Sequence, residues 1–282
     1  MNGRQTKIAK KVDIVLRAHW AYVRKMLAKG NLSQKYFSSK KEKLAIRAVL
    51  RNIKLLSSYL PEIGKREFKI LDVGVGTGKL PVVLKALGYD VYGLDDNGGG
   101  TRTSDFLRRM FPHLKVEVCS IEFKRFPYKD NEFDLVTSLD VVEHLPGSPR
   151  HYLREIYRII KSGGTFLLSN PNPASLSNAI LILLGKSVYH PLEEWFDLVG
   201  NENYQGHWRE YTASELTYMV SKVGFRVIKK CCRPLLIDFS SYSITSKILL
   251  VCYLVLTYLM PSMRNEVFII CTKPEMLRNK NE

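Results

Sequence analysis

Cysteine is scarce in this chain. The 282 residues hold five, Cys119, Cys231, Cys232, Cys252 and Cys271, scattered without metal-ligand spacing and odd in number. That argues against a disulfide framework or a zinc module and predicts reduced thiols in a cytoplasmic protein. Apolar runs of spanning length are also missing. A membrane-crossing helix needs about 20 apolar residues, whereas the uncharged run from Ile248 to Met260 has 13. The basic N-terminus, MNGRQTKIAKK, lacks the apolar core of a signal peptide, and no repeat or low-complexity tract is visible. Acidic residues are nearly absent from the first 66 positions, which carry 17 Lys and Arg against Asp13, Glu42 and Glu62, a net +14 of the chain's +16.

The basic segment has helical patterning. Ile8, Val12, Val15, Val23, Met26 and Leu27 recur at helical spacing, as do Leu44, Ile46, Val49, Leu50, Ile53, Leu56 and Leu60, with Lys and Arg on the other faces. Two helices over residues 1–66 are expected. They form an extension that either docks its apolar faces on the following domain or meets phosphate, on an anionic membrane surface or on nucleic acid.

From Phe68 the pattern alternates strand and helix. Strands are expected at 68–73, 90–95, 115–119, 133–138, 164–169, 225–232 and 266–272, and helices near 78–87, 103–111, 149–160 and 212–223. Capping chemistry marks several ends: Ser148 before Pro149, Gly163 after the same helix, Thr212 with Glu215, and Gly224. The segment KILDVGVGTG carries the chemistry. Gly74, Gly76 and Gly78 leave a strand and open a helix, so the backbone there can approach a ligand closely. Asp95, ending VYGLDD, lies 19 residues after Gly76, about where doubly wound folds place a carboxylate on a ribose. The spacing is Gly-x-Gly-x-Gly; a dinucleotide fingerprint needs glycine at 79, where Lys79 stands, which argues against NAD.

On these motifs the segment from about Phe68 to Gly224 resembles class I S-adenosylmethionine-dependent methyltransferases, nearest to the ubiquinone-type and glycan methyltransferases. The resemblance rests also on FPYKDNEFDLVTSLDVVEHLP and GGTFLLSNPNP, which match the family's fourth and fifth strands and their exits. It implies an α/β fold, a doubly wound seven-stranded Rossmann-like sheet with the last strand antiparallel. On this resemblance a methyltransferase domain is expected over 67–273, with insertions at 171–206 and 233–265 and a polar tail at 274–282. It implies S-adenosylmethionine as cofactor, held by Asp72, Gly74, Gly76, Gly78 and Asp95, with Ser120 and Ile121 flanking the adenine. Ser120 departs from the family, which commonly has Asp there.

Methyl transfer needs an aligned acceptor and, for a hydroxyl, a base. His144 is the candidate base. Glu143 has the spacing from Asp140 of a helix N-cap partner, a structural role. His207 is a second histidine near the expected pocket, and Tyr36, Trp195, Tyr204 and Trp208 are candidates either to line an acceptor site or to pack in the core. Both insertions leave the sheet at the rim where α/β folds bind ligands, and the run at 248–260, apolar all round, is expected to be buried in the protein, a partner or a lipid interface. The expected acceptor is a small-molecule, glycan or lipid-linked hydroxyl, with the enzyme at the inner face of a membrane. The rival readings are an RNA methyltransferase and a catalytically silent cofactor-binding subunit.

Overall fold

Two apolar residues in succession, repeated from strand to strand, organise the molecule. Ile70 and Leu71, Leu135 and Val136, Leu167 and Leu168, and Ile269 and Ile270 are all fully buried. Adjacent strand residues point to opposite faces, so each pair feeds two separate cores, one on either side of a sheet. In the computed structural model that sheet has seven strands: β1 (Lys69–Val73), β2 (Asp90–Asp95), β3 (Lys115–Val118), β4 (Phe133–Leu139), β5 (Ile160–Pro171), β6 (Arg226–Arg233) and β7 (Glu266–Thr272). Their order is β3-β2-β1-β4-β5-β7-β6, parallel except for β7, which runs antiparallel to both neighbours. The structure describes residues 3–28, 39–61, 67–76, 78–96, 114–189, 192, 196–197, 206–239 and 242–275.

Helices cover both faces. α1 (Gly3–Ala28), α2 (Ser39–Leu56) and α3 (Lys79–Ala86) pack on one, where Val12, Leu16, Ile46, Val49 and Leu84 join Ile70, Leu135 and Ile270. The basic helices thus bury apolar side chains in the core on this face, α1 packing against α2 and α3, and each fully buried aliphatic side chain stabilises by about 1.5–3 kcal/mol. On the other face α4 (Arg150–Ile159) and α6 (Ala213–Val223) contribute Tyr152, Ile156, Leu216 and Val220. The expected capping box at α6 forms in full, with Thr212 and Glu215 bonded reciprocally, and Gly224 closes the helix at φ 114°. The expected helix over 103–111 lies outside the described residues.

Two expected caps do not form. Pro149 is the N-cap of α4, and the Ser148 hydroxyl reaches only the Arg150 N–H, at 3.4 Å. Gly163 is no helix stop, because α4 turns directly into β5 at Ile160. Gly163 lies inside that strand and donates its N–H to the Lys273 carbonyl at 2.8 Å.

The insertions carry α5 (Leu176–Leu183) and α7 (Ile244–Leu259). Register places Pro171, Glu266 and Arg233 side by side, so both insertions leave the sheet at the carboxyl edge of its parallel strands. α7 is not buried: Thr257 is its one fully buried residue, and most of its aliphatic side chains face outward. Among the described residues no helix is long and apolar enough to cross a membrane.

The docking of α1 is open to test. Leu16→Ala should lower stability by about 2–5 kcal/mol, whereas Ile14→Ala, at an exposed position on the same helix, should stay within about 0.5 kcal/mol. Urea unfolding of both variants measures the difference, and equal effects would show α1 undocked.

Candidate functional site

The turn leaving β1 is left-handed three times over, with φ of 74° at Gly74, 53° at Gly76 and 70° at Gly78, values that cost L-residues free energy. The glycines have different neighbours. A Cβ on Gly74 would lie 2.2 Å from Val141 Cγ2, so Val141 occupies the place of that missing side chain. Among the described residues, a Cβ on Gly76 would meet nothing nearer than the Gly74 carbonyl oxygen at 3.9 Å, so none of them closes that side of the turn.

Asp95, at the end of β2, holds the turn. Its Oδ2 accepts the Gly76 N–H at 2.8 Å and its Oδ1 accepts the Asp96 N–H at 2.8 Å. Burial pushes the Asp95 carboxyl above the usual carboxylate range, and those two donors offset part of the rise. Asp72 lies deeper, with the Thr137 hydroxyl donating to its Oδ1. Burial pushes Asp72 up to about 7, against the Thr137 bond and with help from the Asp95 charge. The Cys119 N–H donates to the Asp95 carbonyl at 2.9 Å, which brings the end of β3 to the same edge. Here Ser120 is half-buried, its carbonyl accepting the Lys124 N–H at 3.2 Å, and Ile121 is packed in the core.

The exit of β4 forms a second cluster. Glu143 does not cap a helix with Asp140. Val142–His144 is a single 3-10 turn without a side-chain cap, and Asp140, at φ 55°, is tied to β5 instead, its Oδ1 accepting from the Ser169 hydroxyl at 2.8 Å. The Glu143 side chain is fully buried, and among the described residues neither carboxylate oxygen has a hydrogen-bond partner beyond its own backbone N–H. Burial first, and the Asp140 charge second, push it up to about 9.

Segment 206–210 folds onto this turn. The Trp208 N–H donates to the Glu143 carbonyl at 2.8 Å. His144 Nδ1 lies 3.2 Å from the Gly206 carbonyl, and His207 Nδ1 lies 2.7 Å from Glu210 Oε1. The two imidazoles meet edge to face, 4.8 Å between centroids. Glu143, His144 and His207 each offer a ligand atom, all within 4.8 Å of one another, a carboxylate-imidazole donor set of the kind that can hold a divalent cation. His207 was a secondary candidate in the sequence; only the return of the chain over β4 brings it here. A cleft of about 750 Å³ flanks the turn, lined by Pro146, Trp208, Tyr211 and Tyr218 among others, and includes none of the glycine turn. Trp208 therefore lines a cavity, though one to the side of the candidate cofactor site. Tyr36, Trp195 and Tyr204 lie outside the described residues.

Known proteins match this arrangement. A family model described as a methyltransferase domain matches residues 41–230. The mitochondrial ubiquinone biosynthesis O-methyltransferase of Mus musculus is 28% identical over 140 residues, 48% of this chain and 37% of the relative. The ubiquinone biosynthesis O-methyltransferase of Pseudomonas putida F1 is 32% identical over 116 residues, 40% of this chain and 49% of the relative. The chain thus spans half or less of the length of either. Among solved structures, a chain of the Haloferax volcanii complex of the Trm112 methyltransferase activator with a methyltransferase superposes with TM-score 0.55 at 18% identity, over 86% of this chain and 97% of that one. A SAM-dependent methyltransferase from Archaeoglobus fulgidus superposes with TM-score 0.52 at 19% identity, over 83% and 97%. At these identities the superpositions speak for the fold.

The raised carboxyl of Asp72 gives a pH dependence. A buried acid whose folded pKa exceeds its unfolded value binds its proton more tightly when folded, so its contribution to stability is lost as pH rises, here from about 4 through about 7. Asp72→Asn should flatten the melting temperature over that window and be more stable than wild type at pH 8. A wild-type profile with the opposite slope, removed by the same substitution, would contradict the assignment.

Proposed function

We propose, from the premise that the chain belongs to the methyltransferase-domain family, that it transfers a methyl group from S-adenosylmethionine to a hydroxyl oxygen of a small-molecule, glycan or lipid-linked acceptor. The residues fit that cofactor. Gly76 leaves open space where a side chain would block approach, and each Asp95 oxygen, already accepting one backbone N–H, keeps lone-pair capacity for ribose hydroxyls. Bound there, the cofactor supplies a methyl group on an electrophilic sulfonium. Asp72, the glycines, Asp95 and the strand end at Ser120 and Ile121 would hold it.

One observation carries the choice of a hydroxyl. The Gly206 carbonyl can only accept, so His144 Nδ1 bears the proton in that contact and Nε2 carries the lone pair of the neutral ring. An imidazole fixed in this tautomer, one turn after Val141, is suited to take the acceptor's hydroxyl proton as the oxygen-methyl bond forms. His207, whose Nδ1 is engaged by the Glu210 carboxylate, stands beside it in the same orientation role. Burial keeps Glu143 protonated near neutral pH, so it brings no negative charge to the acceptor. The names of the two relatives described above, O-methyltransferases of a quinone pathway, support the same class of acceptor.

His144→Ala should lower turnover about 100-fold or more at unchanged affinity for S-adenosylhomocysteine. Equal turnover across the pH range would remove His144 from the chemistry. The acceptor class is tested by incubating the protein and labelled cofactor with a cell extract separated into lipid, RNA, protein and small-molecule pools. Label in the lipid or small-molecule pool is expected; label in RNA would transfer the case to the basic helices and a nucleic-acid substrate.

A further inference from the structure

α7 is built inside out for a helix in water. Two of its polar side chains face the protein: Thr257 is 1% exposed, and the Tyr253 hydroxyl donates to Asn265 Oδ1 at 2.7 Å. Its aliphatic side chains face outward, Leu249 70% and Leu259 69% exposed, with Ile248, Val251 and Val255 beside them. Isolated exposed apolar residues are ordinary, but a continuous apolar face marks an interaction surface. α5 also turns aliphatic side chains outward, Leu183 being 85% exposed and Ile182 61%. Asn265 binds the two helices at one point, donating to the Ser177 hydroxyl of α5 at 3.0 Å while accepting from Tyr253 of α7.

The surroundings indicate what covers this face. No Asp or Glu occurs from 171 to 192 or from 239 to 265, stretches that hold Lys186, Lys247 and Arg264. Beside α7 a groove of about 370 Å³ is lined by Arg47 and Arg51 of α2 together with Leu235, Ile237 and Leu254. Each arginine donates one N–H to a loop carbonyl, Arg47 to Ile237 at 3.3 Å and Arg51 to Pro234 at 3.1 Å, and a guanidinium has further donors to offer a phosphate. Cationic groups beside an aliphatic face match the headgroup and acyl layers of an anionic bilayer. A second copy fits poorly, because two chains of net charge +16 repel. At 16 residues α7 is about 24 Å long, short of the roughly 30 Å hydrocarbon core.

We propose that the outer face of α7 and α5 docks the protein on an anionic lipid bilayer, α7 lying in the interface plane and the Arg47–Arg51 groove receiving a lipid phosphate. The docking goes beyond the methyl-transfer reading and does not depend on the identity of the acceptor.

Vesicle co-sedimentation of the full chain tests it. The protein should pellet with phosphatidylcholine vesicles containing phosphatidylglycerol, poorly with phosphatidylcholine alone, and less as salt rises. Val251→Glu with Leu259→Glu should reduce partitioning at least about tenfold, with unchanged melting temperature and S-adenosylhomocysteine affinity. Arg47→Gln should weaken the preference for anionic vesicles while leaving weak binding to neutral ones. The milder Leu249→Gln, expected to weaken partitioning several-fold, decides the matter should the double variant melt early. Wild-type protein left in the supernatant with anionic vesicles at low salt would overturn the proposal, as would folded outer-face variants that pellet like wild type. A vesicle-free dimer dissociated by the same substitutions would assign the face to a second copy. Loss of docking with transfer activity intact would leave the proposed chemistry standing, and the converse result would leave the docking standing.

Discussion

The contact between Val141 and the bare α-carbon of Gly74 fixes the site. β1 and β4 are neighbours in the sheet, and their exits interlock because Val141 fills the volume that any other residue at position 74 would claim. Two residues inward from Gly74, Asp72 lies opposite Thr137 in the ladder and is bonded to it. The glycine turn, with Asp95 holding Gly76, and the turn carrying Glu143 and His144 are therefore two ends of one rigid joint. A side chain at position 74 would disturb both, although only one faces the candidate cofactor site.

Much of this was legible in the sequence, and the reasons are local. Strand residues in a doubly covered sheet are continuous apolar runs, so β1, β2 and β7 are found where the apolar segments lie. The Thr212 and Glu215 pair closes within one helical turn and needs nothing from the rest of the chain. Asp140 and Glu143 have the same spacing and do not cap. There the Ser169 hydroxyl on the neighbouring strand recruits Asp140, and a positive φ at Asp140 aims the chain into a 3-10 turn that buries Glu143 instead. The grouping of His144 with His207 had no signal in local spacing, since it depends on how segment 206–210 crosses the exit of β4.

For α7 the sequence leaves open what covers its apolar side. Its apolar composition was plain, but composition does not say which side of a helix the protein takes. The missed signal was the placement of three of its polar residues: Ser246, Tyr253 and Thr257 fall on one face at helical spacing. That face is the one the protein takes, with Tyr253 bonded to Asn265 and Thr257 buried. A short helix that turns its polar stripe inward and most of its aliphatic side chains outward reverses the usual rule for helices in water, and its outward side then calls for an apolar environment.

The reversed strand β7 joins these features. Because it runs antiparallel, its first residue lies beside the last residues of β5 and β6, so both apolar helices grow from the carboxyl edge of the sheet, where the glycine turn and the His144 turn also open. Had β7 been parallel, its entry would lie at the opposite edge and the Asn265 link between α5 and α7 would be lost. On the proposed reading, a lipid-linked hydroxyl therefore approaches the methyl donor from the side on which the apolar helices rest. On that reading the antiparallel strand that completes the fold would also set the direction from which the acceptor arrives.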